Sequence, residues 1–188
     1  MPILTLVEGL PKYEGINEAY AISDSLNIMR KSIDGRRNRH LRICPHTTEN
    51  KDHFLSLLES KTDFLHISSH GSRIDGKTVF DIAYGGQVTA DDIKERTISA
   101  KVIFVSACLA AREDMAKAFL EKSKTKHRYF IAPFKEVGFD EAFVVALLFY
   151  WQVFLKGVKI DNSKKIFQAL EHARKTKGVS TNFFFYWS

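Results

Sequence analysis

Two short apolar runs, each closing on a residue with chemistry of its own, stand out in the pattern of hydrophobic and polar positions along this chain. The first lies within 63–72, where Phe64-Leu65-His66-Ile67-Ser68-Ser69 leads to His70-Gly71. The second lies within 101–111, where Val102-Ile103-Phe104-Val105-Ser106-Ala107 leads to Cys108. Brief apolar stretches rich in β-branched and aromatic residues predict strands buried on both faces, as in a parallel sheet. In an open α/β sheet, functional groups gather at the carboxyl ends of strands, and both His70 and Cys108 fall at such ends. If the two strands are neighbours, imidazole and thiol come together.

The rest of the pattern alternates strand and helix. Residues 2–10 predict a first strand, and 15–33 an amphipathic helix with Ile16, Ala19, Tyr20, Ile22, Leu26 and Met29 on its apolar side. A short strand is expected over 40–44, then a helix started by Thr48-Glu49-Asn50 with Phe54, Leu55, Leu57 and Leu58 inward. Past His70, residues 77–89 carry Val79, Ile82 and Tyr84 before Gly85-Gly86, a turn signal that suits a hairpin or an extended excursion. A short helix over 90–96, a helix from about 113 to 124 and a strand over 128–133 follow. Phe139-Asp140-Glu141 opens a long apolar helix that Gly157 closes. Asn162-Ser163 can cap the next helix, whose inner face is Ile166, Phe167, Leu170 and Ala173 before Gly178, and 183–187 reads as a last strand. This order predicts one α/β domain over 1–188, a mostly parallel sheet with helices on both faces joined by right-handed crossovers.

Composition narrows the class. Of the 188 residues 45% are hydrophobic and 27% charged, ordinary globular usage, with no repeat or low-complexity segment. The most apolar stretch, 141–155, is shorter than the ~20 residues that span a bilayer, so it is expected to be a buried helix rather than a membrane anchor. The net charge of +6 is spread over stretches such as 35–40 and 122–126. Solvated surface accounts for it better than a nucleic-acid site, because the aromatics lie in apolar runs instead of alternating with the basic residues. Two cysteines cannot build a disulfide scaffold and no secretory leader precedes the first strand, so a reducing cytoplasm is expected.

The strand ending Ser68-Ser69-His70-Gly71, the stretch Gly86-Gln87-Val88-Thr89-Ala90-Asp91-Asp92-Ile93 and the strand ending Val105-Ser106-Ala107-Cys108 together resemble the caspase-like cysteine peptidases, and within them the CHAT domain. The likeness continues through Phe149-Tyr150 to Gly157, 165–173 and the aromatic end. It implies a caspase-like three-layer sandwich that cuts protein or peptide substrates with a Cys–His dyad, Cys108 as nucleophile and His70 as its base, without metal or organic cofactor. The backbone N–H groups of Gly71 and Cys108 would hold the oxyanion, where one such donor is worth about 3 kcal/mol in a well-studied protease. By likeness to separase, a relative selective for basic residues, Asp140 would be a pocket acid favouring Arg or Lys. Because many relatives are controlled by an attached module, a separate regulatory protein is expected here, in a bacterial stress or defence response.

Each assignment has a plainer counterpart. His70 could cap a strand, and Cys108 could be a small buried hydrophobe, the commoner fate of a lone cysteine. His66 alternates with Ser68 and His70 along one strand face and is expected to pack or to support. Asp140, immediately before Glu141-Ala142-Phe143, is well placed to cap the long helix, and the cap is the favoured of its two readings. Cys44 and His46 could be offered to a metal, but no other cysteine sits at zinc-site spacing, and no metal is expected. The chain also departs from CHAT usage: Leu109-Ala110-Ala111-Arg112 stands where a Gly-rich turn is common, and Phe134-Lys135-Glu136-Val137 replaces a tryptophan-containing segment. The alternative to a peptidase is a noncatalytic caspase-like module that binds a partner through its groove or aromatic C-terminal strand.

Overall fold

The computed structural model describes residues 1–11, 14–15, 17–32, 41–121, 128–175 and 182–188. Ile16, Gly178 and the basic stretches 35–40 and 122–126 lie outside the described residues.

Among the described residues nine strands and six α-helices follow in the order β1 (Ile3–Glu8), α1 (Glu18–Ser32), β2 (Arg42–Thr47), α2 (Lys51–Leu58), β3 (Phe64–Ser68), β4 (His70–Ile74), β5 (Lys77–Ile82), β6 (Gly86–Thr89), α3 (Ala90–Lys94), β7 (Val102–Ser106), α4 (Glu113–Leu120), β8 (Tyr129–Pro133), α5 (Phe139–Tyr150), α6 (Ser163–Arg174) and β9 (Phe183–Trp187). Six strands form one sheet in the order β2-β1-β3-β7-β8-β9. The first four pairings are parallel, and only β9 runs antiparallel, against β8. The fully apolar runs occupy the middle: every residue of β3, β7 and β8 is buried.

Side-chain alternation in these strands builds two cores. Leu65, Ile67, Ile103 and Val105 face α2, α3 and α4 with Phe54, Ile93, Met115 and Phe119. Leu4, Leu6, Phe64 and Phe104 face α1, α5 and α6 with Ile22, Val145, Phe149 and Leu170. The result is the expected sheet covered on both faces. No described helix is long and apolar enough to cross a membrane.

Local chemistry sets the boundaries. Asn50 and Asn162 cap α2 and α6 by accepting from the His53 and Lys165 N–H groups. Thr89 and Asp92 close a reciprocal capping box on α3. The apolar helix α5 runs into a π-helical turn at Trp151–Leu155, and Gly157 ends it with φ 72°. At the far end of the sheet from the strand tips, buried Arg128 donates to the carbonyls of Phe119 and Ile98, tying the end of α4 to the segment before β7.

The structure departs from the pattern at several points. The run over 63–72 is two strands: β3 stops at Ser68, and His70–Ile74 opens a separate three-stranded antiparallel sheet, β4-β5-β6. Its first hairpin turns at Asp75 and Gly76, both with positive φ. The second strand lies at Arg42–Thr47 and runs through Pro45, which an edge position tolerates. Tyr20 and Phe167, expected inward, are exposed; Phe167 meets Phe185 edge-on at the rim of the sheet.

Candidate active site

The tips of β3 and β7 lie side by side, because these strands pair in register up to Ser68 and Ser106. The chains then leave together, and the Ser69 N–H still reaches the Ser106 carbonyl at 3.5 Å. Two residues on, Gly71 packs directly on Cys108. A Cβ built on Gly71 would run into the Cys108 carbonyl oxygen and lie 3.0 Å from the Cys108 nitrogen. Gly71 is therefore required first by the approach of two backbones, a reason distinct from access of substrate to its N–H.

His70 is exposed at the start of β4. Its Nε2 lies 3.0 and 2.9 Å from the two carboxylate oxygens of Glu14. The Phe139 ring meets the imidazole edge-on, with centroids 5.5 Å apart. Cys108 is half-buried, its sulfur 3.5 Å from both the N–H and the carbonyl of Val137. Among the described residues no hydrogen bond joins His70 to Cys108, and no backbone carbonyl takes the Cys108 N–H. The fold thus brings the two backbones together, while each side chain rests on a neighbour of its own.

The turn after Cys108 is pinned to the segment beyond β8. Leu109 donates to the Lys135 carbonyl at 3.3 Å and Ala111 to the Pro133 carbonyl at 2.8 Å. Leu109 has φ 61°, the left-handed conformation that a glycine takes without cost. The chain therefore adopts the backbone of a Gly-type turn with a leucine in it.

Behind the strand tips, on the α1 and α5 side, sits a buried polar cluster. Ser68 Oγ donates to Glu18 at 2.6 Å, and His66 Nδ1 lies 3.1 Å from the Tyr150 hydroxyl. His66 Nε2 stands 3.3 Å from Glu18, close enough to pair as ions but outside hydrogen-bond alignment. Burial pushes the Tyr150 hydroxyl well above its ordinary pKa, with the Glu18 charge adding to the effect, so the phenol stays a donor. Glu8, at the end of β1, accepts from the Ala19 N–H at 2.8 Å. Burial raises the Glu8 carboxyl to about 7, against the pull of that N–H and with help from the Glu18 charge. His66 thus packs between Phe104 and Tyr150 and supports this cluster.

Asp140 is not the helix cap. Gly138 holds that position with no side-chain cap bond, and Asp140 lies in the first turn of α5 with its carboxylate folded over Gly138. It borders a shallow cavity of about 190 Å³ with Asn17, Glu18, Ala21, Phe139 and Phe143. Cys44 and His46 lie on edge strand β2, and among the described residues no group of three or more His, Cys, Asp or Glu side chains could hold a metal.

Glu14 has no signal in the sequence, being one acid in a short loop between a strand and a helix. Glu8 does carry one: an acid closing the apolar run Leu4-Thr5-Leu6-Val7, where an exposed strand end would leave it in water.

Among solved structures, the chain is similar to the crystal structure of the Drosophila initiator caspase Dronc. The TM-score is 0.52 at 17% identity, over 98% of this chain and 78% of that one. The fold is caspase-like. No protein-family model and no curated protein sequence matches the chain. At this identity the likeness establishes the caspase-like arrangement of a six-stranded, mostly parallel sheet between helices, and what the strand tips do rests on their chemistry.

Proposed function

We propose that the chain is a cysteine endopeptidase of the CHAT type, with Cys108 as nucleophile and His70 as general base. The observation that carries this reading is the packing of Gly71 on the Cys108 backbone at the tips of neighbouring strands β3 and β7, within a caspase-like fold. The imidazole takes the Sγ proton, the thiolate attacks the scissile carbonyl, and the tetrahedral oxyanion is held by the N–H groups of Cys108 and Gly71. The imidazolium returns its proton to the departing amine, leaving a thioester; a water activated by the same imidazole then releases the acid. Catalytic hydrogen bonds often tighten only around substrate, which accommodates the separate partners of His70 and Cys108 in the free protein.

The substrate is an extended polypeptide, and Asp140, which lines a cavity with Phe139, whose ring meets His70 edge-on, is the acid that would favour a basic side chain before the cut. Both cysteines are free, which suits the reducing cytoplasm of a bacterium, where a separate protein would control the activity in stress or defence. The test is an irreversible thiol-directed peptide probe on the whole chain. Labelling lost in Cys108→Ala and weakened in His70→Ala is expected; equal labelling of Cys44 would refute the assignment.

The exposed rings of Phe184 and Trp187 on edge strand β9 favour a second reading, a binding module without catalysis. Biological activity that survives replacement of both His70 and Cys108 would select it.

A further inference from the structure

The three strands β1, β3 and β7 are consecutive neighbours in the sheet, and each delivers one polar residue at its carboxyl end: Glu14 in the segment after β1, His70 after β3 and Cys108 after β7. Glu14 and Cys108 thus come to the imidazole from strands on opposite sides of it. We propose that Glu14 is the positioning residue for His70: by accepting the Nε2 proton it holds the ring in one tautomer and leaves Nδ1 as the basic nitrogen. The proposal deepens the peptidase reading and rests on it.

A carboxylate has no proton to give, so the nitrogen it faces must carry one. Both Glu14 oxygens lie within 3.0 Å of Nε2, which assigns the neutral ring as Nε2–H with the lone pair on Nδ1. When Nδ1 takes the Sγ proton from Cys108, the products are a thiolate and an imidazolium whose Nε2–H still faces a negative charge. The proton on Nδ1 then leaves with the amine while Nε2–H stays on Glu14, so the carboxylate stabilises the charged intermediate state without being protonated. The Phe139 ring packs edge-on against the imidazole beside it.

The segment bearing Glu14 is anchored at both ends to β3, whose tip leads into His70. At its start the Gly9 N–H donates to the Ser68 carbonyl at 2.8 Å, and the Gly9 carbonyl accepts from Ala83 at 3.0 Å. At its end, buried Glu8 accepts from the Ala19 N–H in the first turn of α1. Glu18, beside it, takes the Ser68 hydroxyl two residues before His70. Glu14 itself donates its N–H to the Pro11 carbonyl at 3.1 Å. A carboxylate on so short a span with both ends tied to β3 is held ready for the imidazole, which is what a positioning role requires.

The test compares the wild type with Glu14→Ala and Glu14→Gln by ring-nitrogen NMR of His70, by the alkylation rate of Cys108 with iodoacetamide, and by steady-state cleavage of a peptide. Glu14 is part-exposed, so its removal spares the core; the Gln variant keeps an acceptor in case the Ala variant is unstable. The wild-type ring is expected as the Nε2–H tautomer, and Glu14→Ala is expected to mix tautomers. In Glu14→Ala the alkylation rate and kcat should fall by about 10- to 100-fold with KM little changed, up to the lower bound of what a positioned base contributes, because the base itself remains. Glu14→Gln, which still accepts from Nε2–H but carries no charge, should fall between. An Nδ1–H tautomer in the wild type, or alkylation in Glu14→Ala within about twofold of wild type, would overturn the assignment of Glu14 alone. Failure of the peptide probe to label wild-type Cys108 would remove the peptidase reading and this proposal together.

Discussion

Glu8 should make the protein less stable as the medium turns from acid to neutral, and Glu8→Gln should remove that loss. Glu8 is 2% exposed, and burial, opposed by the Ala19 N–H and reinforced by the Glu18 charge, raises its carboxyl from 4.5 to about 7. In the unfolded chain the same group releases its proton at the ordinary value. Between the two, the native state holds a proton that the unfolded state has lost, so stability falls as pH rises through this window. A rise from 4.5 to about 7, at about 1.4 kcal/mol per pH decade, amounts to about 3 kcal/mol, fully present below the unfolded value and gone above the folded one. Against a total of roughly 5–15 kcal/mol for a domain, that is a large fraction. Glutamine keeps a carbonyl for the Ala19 N–H and does not titrate. Its cost is an NH2 group placed where a protonated carboxyl sat, about 1–2 kcal/mol if unpaired. Urea unfolding at a series of pH values between about 5 and 8 should therefore give a wild-type curve that falls more steeply than the variant's, by up to about 3 kcal/mol over the range. Every other group is common to both proteins, so the difference between the curves reports on Glu8. Parallel curves would refute a buried carboxyl that holds its proton near neutrality.

Gly71→Ala should abolish probe labelling of Cys108 and cost at least the roughly 1–3 kcal/mol of an overpacked site, read by thermal unfolding, because its Cβ meets the Cys108 backbone and not a yielding side chain. Leu109→Ile, which puts a β-branched residue at φ 61°, should lower stability by about 1–2 kcal/mol and slow Cys108 labelling, whereas Leu109→Gly should leave labelling intact. Tyr150→Phe removes the hydroxyl that faces buried His66 Nδ1 and should cost about 1–3 kcal/mol in urea unfolding. Asp140→Asn should flatten a preference for basic side chains in a peptide-library cleavage profile; an unchanged profile would remove Asp140 from the substrate site.

Elements buried on both sides were legible in the sequence, because burial leaves an unbroken apolar record. The cores of β3, β7 and β8 and the helix α5 stand where the apolar runs stand. Elements at an edge leave a weaker record. Strand β2 carries Pro45 and only partly buried residues, and its reading slips by a few positions. Strand β4 holds only exposed and half-buried residues with no apolar rhythm, so His70–Ile74 is hidden as a strand even though Asp75-Gly76 is a hairpin signal. Tyr20 and Phe167 show the opposite failure: helical spacing alone assigns both rings to the core, yet both are exposed, and Phe167 rests on the Phe185 ring at the rim of the sheet.

The same physics divides the site. His70 and Cys108 are visible because each interrupts or ends an apolar strand, and a polar residue at the tip of a buried strand has few structural reasons to be there. Glu14 is invisible for the converse reason, since an acid between Pro11 and Gly15 needs no explanation until the fold sets it on an imidazole. The buried acids lie between these cases. Glu8 and Glu18 flank the segment carrying Glu14, and their carboxylates bind the helix start and the Ser68 hydroxyl where water would otherwise solvate them. Replacing both by apolar residues of like size would relieve the desolvation that raises Glu8, yet it would release the start of α1 from the tips of β1 and β3. The expected signature is a protein of equal or higher stability in which Cys108 alkylates more slowly. Equal alkylation in such a variant would mean that the acids serve packing alone and that the segment bearing Glu14 finds its place without them.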